Sequence, residues 1–405
     1  MSGLAGREWL VQKCSPTSFL HVAFPRTLLP VAHLRARQYP VVTVTGPRQA
    51  GKTTLCRAAF PELPYVNLER PDLRDFALSD PSAFMTRYRA GAVLDEIQRV
   101  PDLLSWIQAA VDERGVPGQF ILTGTHNFDL MHRVTQSLAG RTALLHLLPM
   151  SMQELRDAGL RLSIDESIVR GGYPRIHADA LDPAVALADY FATYVERDLR
   201  QLAELRNLDE FRRFVRLAAG RVGQVLNLHS LAADVGVSDH TARAWLSLLE
   251  ASYIVRLLPP WFANIGKRLI KAPKLYFCDT GLAAWLIGFA QVEQLASHPL
   301  RGTLFENLVV MEFVKHAFNH GRAPVLHYYR DSTGTEVDLV VEHGVPSGQL
   351  GLVEIKAGQT FHRDFVAPME RVAQWIDVPV ARRMLVFGGA GEYTRDGVEV
   401  VGIGG

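Results

Sequence analysis

The stretch GPRQAGKTTL, Gly46–Leu55, decides how the first third of this chain folds. It holds a glycine, four residues, then Gly51, Lys52 and Thr53, the full phosphate-binding loop pattern. Its context fits. YPVVTVTG before it is a short β-branched run that stops at Gly46, and a helical pattern follows over Lys52–Phe60. Glycines let such a loop curl so that successive amide N–H groups and the helix N-terminus face an anion. Gly46, Pro47, Arg48, Gln49, Ala50, Gly51, Lys52, Thr53 and Thr54 are therefore expected to cradle the phosphates of ATP. Lys52 is expected at the β- and γ-phosphates, and the Thr53 hydroxyl at Mg²⁺.

Working outward, GAVLDEIQ is an apolar strand that ends in Asp95 and Glu96. Asp95 is expected to hold the magnesium with Thr53, and Glu96 to polarise the attacking water. In the next strand, FILTGTHNF, either Thr125 or Asn127 is a polar sensor beside the γ-phosphate, provided this strand lies between the other two; the alternative is a helix N-cap. SLAGR places Arg141 after a glycine and before a further strand, TALLHLLP. It is either a finger reaching a neighbouring subunit's γ-phosphate or half of a surface ion pair. Strands alternating with helices, such as PDLLSWIQAAVDERG, predict an α/β domain with a parallel sheet covered on both faces.

Residues 150–220 read as helical, with Arg175, Arg197 and Asp198 at a subunit interface or in a salt-bridge network. Beyond them, LHSLAADVG and VSDHTARAWLSLLEAS predict a helix-turn-helix followed by the short strands YIVRLLP and KLYFCD. Ser238 is a good N-cap, and Ala242, Trp245, Leu246 and Leu249 make its apolar stripe. The outward residues Asp239, His240 and Arg243 are not a strongly basic reading head. Lys267, Arg268, Lys271 and Lys274 form the best basic cluster and are expected either to touch DNA phosphates or to belong to a module that packs on protein.

From Arg301 the pattern becomes helix, strands, helix and a final strand, ARRMLVFGG. Asp338 sits on a strand, and Glu354 and Lys356 share one face of the next by period two. With Glu306 on the preceding helix, this is the order and spacing of a PD-(D/E)XK nuclease. Glu306, Asp338 and Glu354 would hold Mg²⁺ or Mn²⁺, with Glu336 as a spare ligand, while Lys356 serves the scissile phosphate. The competing reading is a cross-strand ion pair.

Composition narrows the classes. The chain has 405 residues and a net charge of +1, so nucleic-acid binding must come from local patches. Three scattered cysteines, Cys14, Cys56 and Cys278, argue against a disulfide frame or a zinc site. No apolar run is long enough to span a bilayer and no secretory signal precedes the first strand, so a cytoplasmic protein is expected.

The ordered set GPRQAGKTTL, LDEIQ, LTGTHNF, SLAGR, LLPMSMQEL, GGYPR, YVERDL, KLYFCDTGL, LFENLVV, YYRDSTGTEVDLVV and VEIKAG resembles one bacterial and archaeal family. These are the AAA-type ATP-binding proteins with a C-terminal domain of unknown function, number 4143. The resemblance implies an AAA+ ATPase domain over residues 1–150 and a helical lid and winged-helix region over 151–300. It implies a restriction-endonuclease-like α/β domain over 301–405, and it carries Gly46, Gly51, Lys52, Thr53, Asp95 and Glu96 over as ATP-site residues. Hydrolysis of Mg-ATP would drive a conformational change in a ring or dimer. The output is expected to be a DNA-associated, ATP-controlled nuclease, or else a protein-interaction switch whose last two modules are non-catalytic.

Overall fold

The computed structural model describes residues 24–125, 134, 136–195, 207–261, 271–343, 348–376 and 378–404. Its first sheet contains β1 (Val41–Gly46), β2 (Tyr65–Asn67), β3 (Ala92–Asp95), β4 (Phe120–Thr125) and β5 (Thr142–His146). The order is β2-β3-β4-β1-β5, with every neighbouring pair parallel. Every residue of β1 is buried, as expected of a strand covered on both faces. Val42 and Val44 point into a core with Leu28, Leu55, Cys56 and Ile121. Val41 points the other way, into a core with Leu94, Leu104, Ile107 and Phe120. The sheet thus meets the sequence expectation, and β4 does lie between β1 and β3.

The middle region is helical. Ser238 caps the helix Asp239–Ala251 by accepting from the Thr241 amide, and Ala242, Trp245, Leu246 and Leu249 are buried as the spacing requires. The preceding helix, Leu228–Val235, ends at Gly236 with φ +90°, a left-handed C-cap that suits glycine. Two antiparallel strands follow, β6 (Val255–Leu258) and β7 (Lys274–Phe277). One expectation fails here. Lys274 is not an exposed phosphate contact; it is 2% exposed and faces carboxylates. Lys267, Arg268, Arg197 and Asp198 lie outside the described residues.

The long helix Arg301–Asn319 leads into a second sheet of six strands: β8 (Leu326–Arg330), β9 (Glu336–His343), β10 (Gln349–Lys356), β11 (Val380–Phe387), β12 (Glu392–Arg395) and β13 (Val398–Gly402). Its order is β12-β13-β11-β10-β9-β8. β8, β9 and β10 pair antiparallel, and β10 and β11 are parallel across the helix Ala367–Trp375. The sequence reading ended this sheet one hairpin early, since β11 is not the last strand. β12 and β13 turn at Asp396 and Gly397, both with positive φ. Asp-Gly between short strands is the hairpin signal that reading overlooked.

One apolar core runs from Leu148 through the middle helices to Val353, Ile355 and Val386 of the second sheet. The opposite face of that sheet has its own core, with Val340, Leu352, Met369 and Leu385. The last hundred residues thus form a separate sheet that shares one buried face with the middle helices. Among the described residues no helix is long and apolar enough to cross a membrane.

Candidate functional site

The loop after β1 is shaped by close approach. A Cβ on Gly46 would fall 2.0 Å from the Leu147 carbonyl oxygen, and Gly51 opens the next helix at φ +93°. Both positions need glycine. Lys52 is buried, and its ammonium donates to the carbonyls of Gly46 at 3.0 Å and Pro47 at 2.8 Å. Burial lowers its pKa, opposed by the charges of Glu96 and Asp95. Ala50 is buried and Thr54 exposed. The Arg48 guanidinium is 3.6 Å from Glu69, and Gln49 takes φ +59°. Arg26, which the sequence reading missed, donates to the Ala50 carbonyl at 2.6 Å and forms a buried ion pair with Glu154 at 3.0 Å. It therefore ties the loop to the helix Met152–Asp157 that follows the sheet.

Asp95 is the hub of this site. The Thr53 hydroxyl donates to it at 3.0 and 3.1 Å, the Tyr65 hydroxyl at 2.6 Å, and the Thr123 hydroxyl also donates. The expected meeting of Thr53 and Asp95 is thus present. Thr123 could have been found from its position two residues before Thr125, on the same face of β4. Tyr65 left no comparable signal. Glu96, at φ +59°, accepts from the Gln98 amide, and its own N–H donates to Thr123 at 3.3 Å. Thr125 pairs with Gly46 in the strand register, and its hydroxyl is buried without a partner. Asn127 and His126 lie outside the described residues.

These residues fit a nucleotide phosphate chain with its magnesium. The loop admits only glycine at its closest approach, an ammonium stands at its floor, and a hydroxyl and a carboxylate meet beside it. Burial pushes the Cys56 thiol up to about 12, so it stays protonated.

Arg141 stands at the other end of the sheet. Its carbonyl accepts from the Val41 N–H at 3.1 Å, one strand length, roughly 17 Å, from Gly46. Its guanidinium grips Asp112 at 2.5 and 2.9 Å. Arg175 pairs with Asp179 at 3.2 Å along its own helix.

The C-terminal carboxylates also converge. The Lys356 ammonium lies 3.0 Å from Asp338 and 2.6 Å from Glu354, and the Ile355 N–H donates to Asp338 at 2.8 Å. Lys274 lies 2.9 Å from Glu306 and 2.5 Å from Glu336, and the Tyr276 hydroxyl donates to Glu306 at 2.6 Å. Each lysine thus bridges two acids. Lys274 and Tyr276 were missed as members of this site, although two polar residues on one face of an apolar strand are a legible sign of a buried polar partner. One oxygen of Glu354, Oε1, is buried and unpartnered. Among the described residues no three His, Cys, Asp or Glu side chains group as a metal-holding set. Burial and then the charge of Asp338 push the Glu354 carboxyl well above the usual range. Burial likewise raises Glu306 against the pull of Lys274. Burial also acts to raise Asp338, but Lys356 and Lys274 hold it below the usual range.

Comparison with known proteins agrees with this architecture. A family profile described as an AAA domain matches residues 38–156. Two profiles of domains of unknown function, DUF8612 and DUF4143, match residues 161–293 and 301–404. The chain is 35% identical over 355 residues to the uncharacterized proteins Mb2031c of Mycobacterium bovis and Rv2008c of Mycobacterium tuberculosis, covering 86% of this chain and 77% of each of theirs. Among solved structures, the Walker-type ATPase paby2304 of Pyrococcus abyssi is 15% identical with a TM-score of 0.43, covering 64% of this chain and 94% of that one. By its identity to the mycobacterial proteins and its AAA and DUF4143 matches, the chain belongs to their family, and its N-terminal sheet is an AAA-type P-loop ATPase domain that binds and hydrolyses ATP.

Proposed function

We propose that ATP turnover at the P-loop drives a C-terminal site that cleaves DNA phosphodiester bonds. The observation that carries the output reading is the convergence of Asp338, Glu354 and Lys356 on neighbouring strands, with a buried carboxylate oxygen, Glu354 Oε1, left unpartnered. In the ATP site, Lys52 and the backbone N–H groups from Arg48 to Thr54 would hold the phosphates, and Thr53 and Asp95 would hold Mg²⁺. Glu96 takes the proton of the attacking water, which Thr125 or Asn127 orients. Arg141 lies too far from its own loop to act there, so a finger role requires a second copy, in a ring or dimer. At the C-terminal site, a Mg²⁺ or Mn²⁺ ion would supply charge neutralisation and an activated water. Asp338 and Glu354, with Glu306 behind them, are the acids that would hold it, and Lys356 neutralises the scissile phosphate. The helix-turn-helix and the strands after it are read as a winged helix that approaches DNA.

The two sites share a physical connection. The helix Arg301–Asn319 carries Glu306 in the cluster near its start. Further along, Glu312 accepts from the Met152 N–H at 3.0 Å, and Lys315 donates to the Met150 carbonyl at 3.0 Å. Those methionines follow directly from β5. A shift at the ATPase sheet therefore has a rigid element through which to act on the acids.

The test is supercoiled plasmid with Mg²⁺ or Mn²⁺, comparing the native chain with Asp338→Ala and Lys356→Ala. Nicking lost in both variants supports the reading. No nicking, or nicking indifferent to the changes, refutes it. A second reading, an ATP-dependent protein-interaction switch, is favoured by the lysines that already neutralise the acids in pairs. It predicts intact ATP turnover with no cleavage under any metal.

A further inference from the structure

We propose that Arg26 is a positioning residue of the ATP site: its guanidinium holds the Ala50–Gly51 peptide so that the Gly51 N–H faces the nucleotide phosphates. This rests on the reading of the loop after β1 as the phosphate cradle, and it draws in a residue that precedes β1. Arg26 Nη1 donates to the Ala50 carbonyl at 2.6 Å. A trans peptide is planar, so its N–H points opposite to its carbonyl. Anchoring the Ala50 oxygen on one side of the loop therefore turns the Gly51 N–H to the other. The peptide needs such a hold. Gly51 takes φ +93°, and a glycine there lets the peptide rotate at little steric cost. Gln49, two residues earlier, also has a positive φ, +59°.

The anchor is set in the frame around the loop. The Arg26 side chain is 7% exposed, and each guanidinium nitrogen is engaged: Nη1 with Ala50, Nη2 with the Leu148 carbonyl at 2.7 Å, and Nε with Glu154 at 3.0 Å. Leu148 follows β5, and Glu154 lies on the helix Met152–Asp157. Glu154 is fixed in turn by the N–H groups of Thr27 at 2.9 Å and Ser151 at 3.0 Å. A Cβ on Gly51 would lie 3.5 Å from Arg26 Nη1 and 3.9 Å from Pro174, so these two side chains cover one face of the glycine. Lys52 differs. Its ammonium also takes loop carbonyls, those of Gly46 and Pro47, but it must leave them to reach a phosphate. Arg26 stays where it is when nucleotide enters. Lysine is no substitute for it, since an ammonium lacks the planar fork that spans three separate acceptors.

The experiment measures ATP turnover, and the affinity of a fluorescent ADP analogue, on the full-length chain with Mg²⁺. It compares the native chain with Lys52→Ala, with Arg26→Lys and with the double variant Arg26→Met, Glu154→Gln. Arg26→Lys keeps a cation beside Glu154. The double variant removes charge and counter-charge together, while glutamine still accepts from Thr27 and Ser151, so a merely structural ion pair is relieved by it. Both should raise the KM for ATP about tenfold or more and weaken the ADP analogue alike. Their kcat should stay within about threefold, because the oriented N–H binds substrate and transition state equally. An unchanged KM in either folded variant, or a loss in kcat alone, overturns the proposal and leaves the P-loop standing. Nucleotide affinity that Lys52→Ala leaves unchanged removes the P-loop reading, and the proposal with it. Should one Arg26 variant fail to fold by circular dichroism, the other decides. Failure of both to fold also overturns the proposal, since Arg26 would then hold the fold and not the peptide.

Discussion

In the P-loop, the Lys52 ammonium turns to the carbonyls of Gly46 and Pro47, and Asp95 takes its hydrogen bonds from the hydroxyls of Thr53, Tyr65 and Thr123. In the C-terminal cluster, Lys356 and Lys274 each lie directly on two carboxylates. Both sites bury lysine and acid together, yet only the second neutralises them against each other. Neutral partners hold Asp95 in place without using up its charge, so cation and anion remain available to opposite ends of a magnesium-bound phosphate chain. Direct pairing favours the closed fold, and any ligand must first displace an ammonium. The first site leaves its charges free of each other, and the second holds them in direct ion pairs.

That contrast can be broken at several points. Lys52→Ala should lower ATP turnover by about 10²–10³-fold or more, measured as phosphate release, with the melting transition retained. Persistent phosphate release would remove the P-loop from the chemistry. Lys274→Met in EDTA should cost up to about 3–5 kcal/mol in urea unfolding, because the half-buried carboxylates of Glu306 and Glu336 lose their buried counter-ion. An unchanged midpoint would mean that the pairing contributes nothing to closure.

A smaller effect comes from pH. In the folded chain the Glu354 carboxyl is raised, so folding favours its protonated form. The stability this provides is full below the ordinary glutamate value and is lost as pH rises through the raised folded value, by at most ~1.4 kcal/mol per pH unit. Asp338, held low, acts in the opposite sense and loses its contribution as pH falls. Glu354→Gln should therefore flatten the alkaline side of a stability–pH profile recorded in EDTA; an unaltered slope would contradict this account of its burial. Least of all, Arg141→Ala should leave the melting temperature unchanged, since its partner Asp112 is an exposed carboxylate. A fall in turnover in that variant, together with a dependence of native turnover on protein concentration, would instead identify a site shared between copies.

Much of the ATP site was legible because its parts are contiguous. Gly46 to Thr54 occupy one loop, and Asp95 and Glu96 end one strand, so spacing alone predicts which groups meet. The C-terminal acids were legible only by face. Period two puts Glu354 and Lys356 on one side of β10 and Asp338 with Glu336 on one side of β9, but it does not say which charge reaches which. Lys274 is the clearest case. Read along the chain it belongs to a basic stretch that looks solvated, yet packing buries it among acids drawn from a helix and a strand further on.

The sequence by itself determined the P-loop, the strands of the parallel sheet, the capped helices of the middle region and the polar faces of β9 and β10. Each follows from local spacing, backbone propensity and glycine placement. Only the tertiary structure decided that β4 lies between β1 and β3 and that Arg26 braces the loop. It alone decided that Arg141 faces away from its own site, and that the lysines sit on the acids. Those outcomes depend on which surfaces exclude water together, and burial of a charge is set by neighbours distant in the chain, which local pattern does not encode.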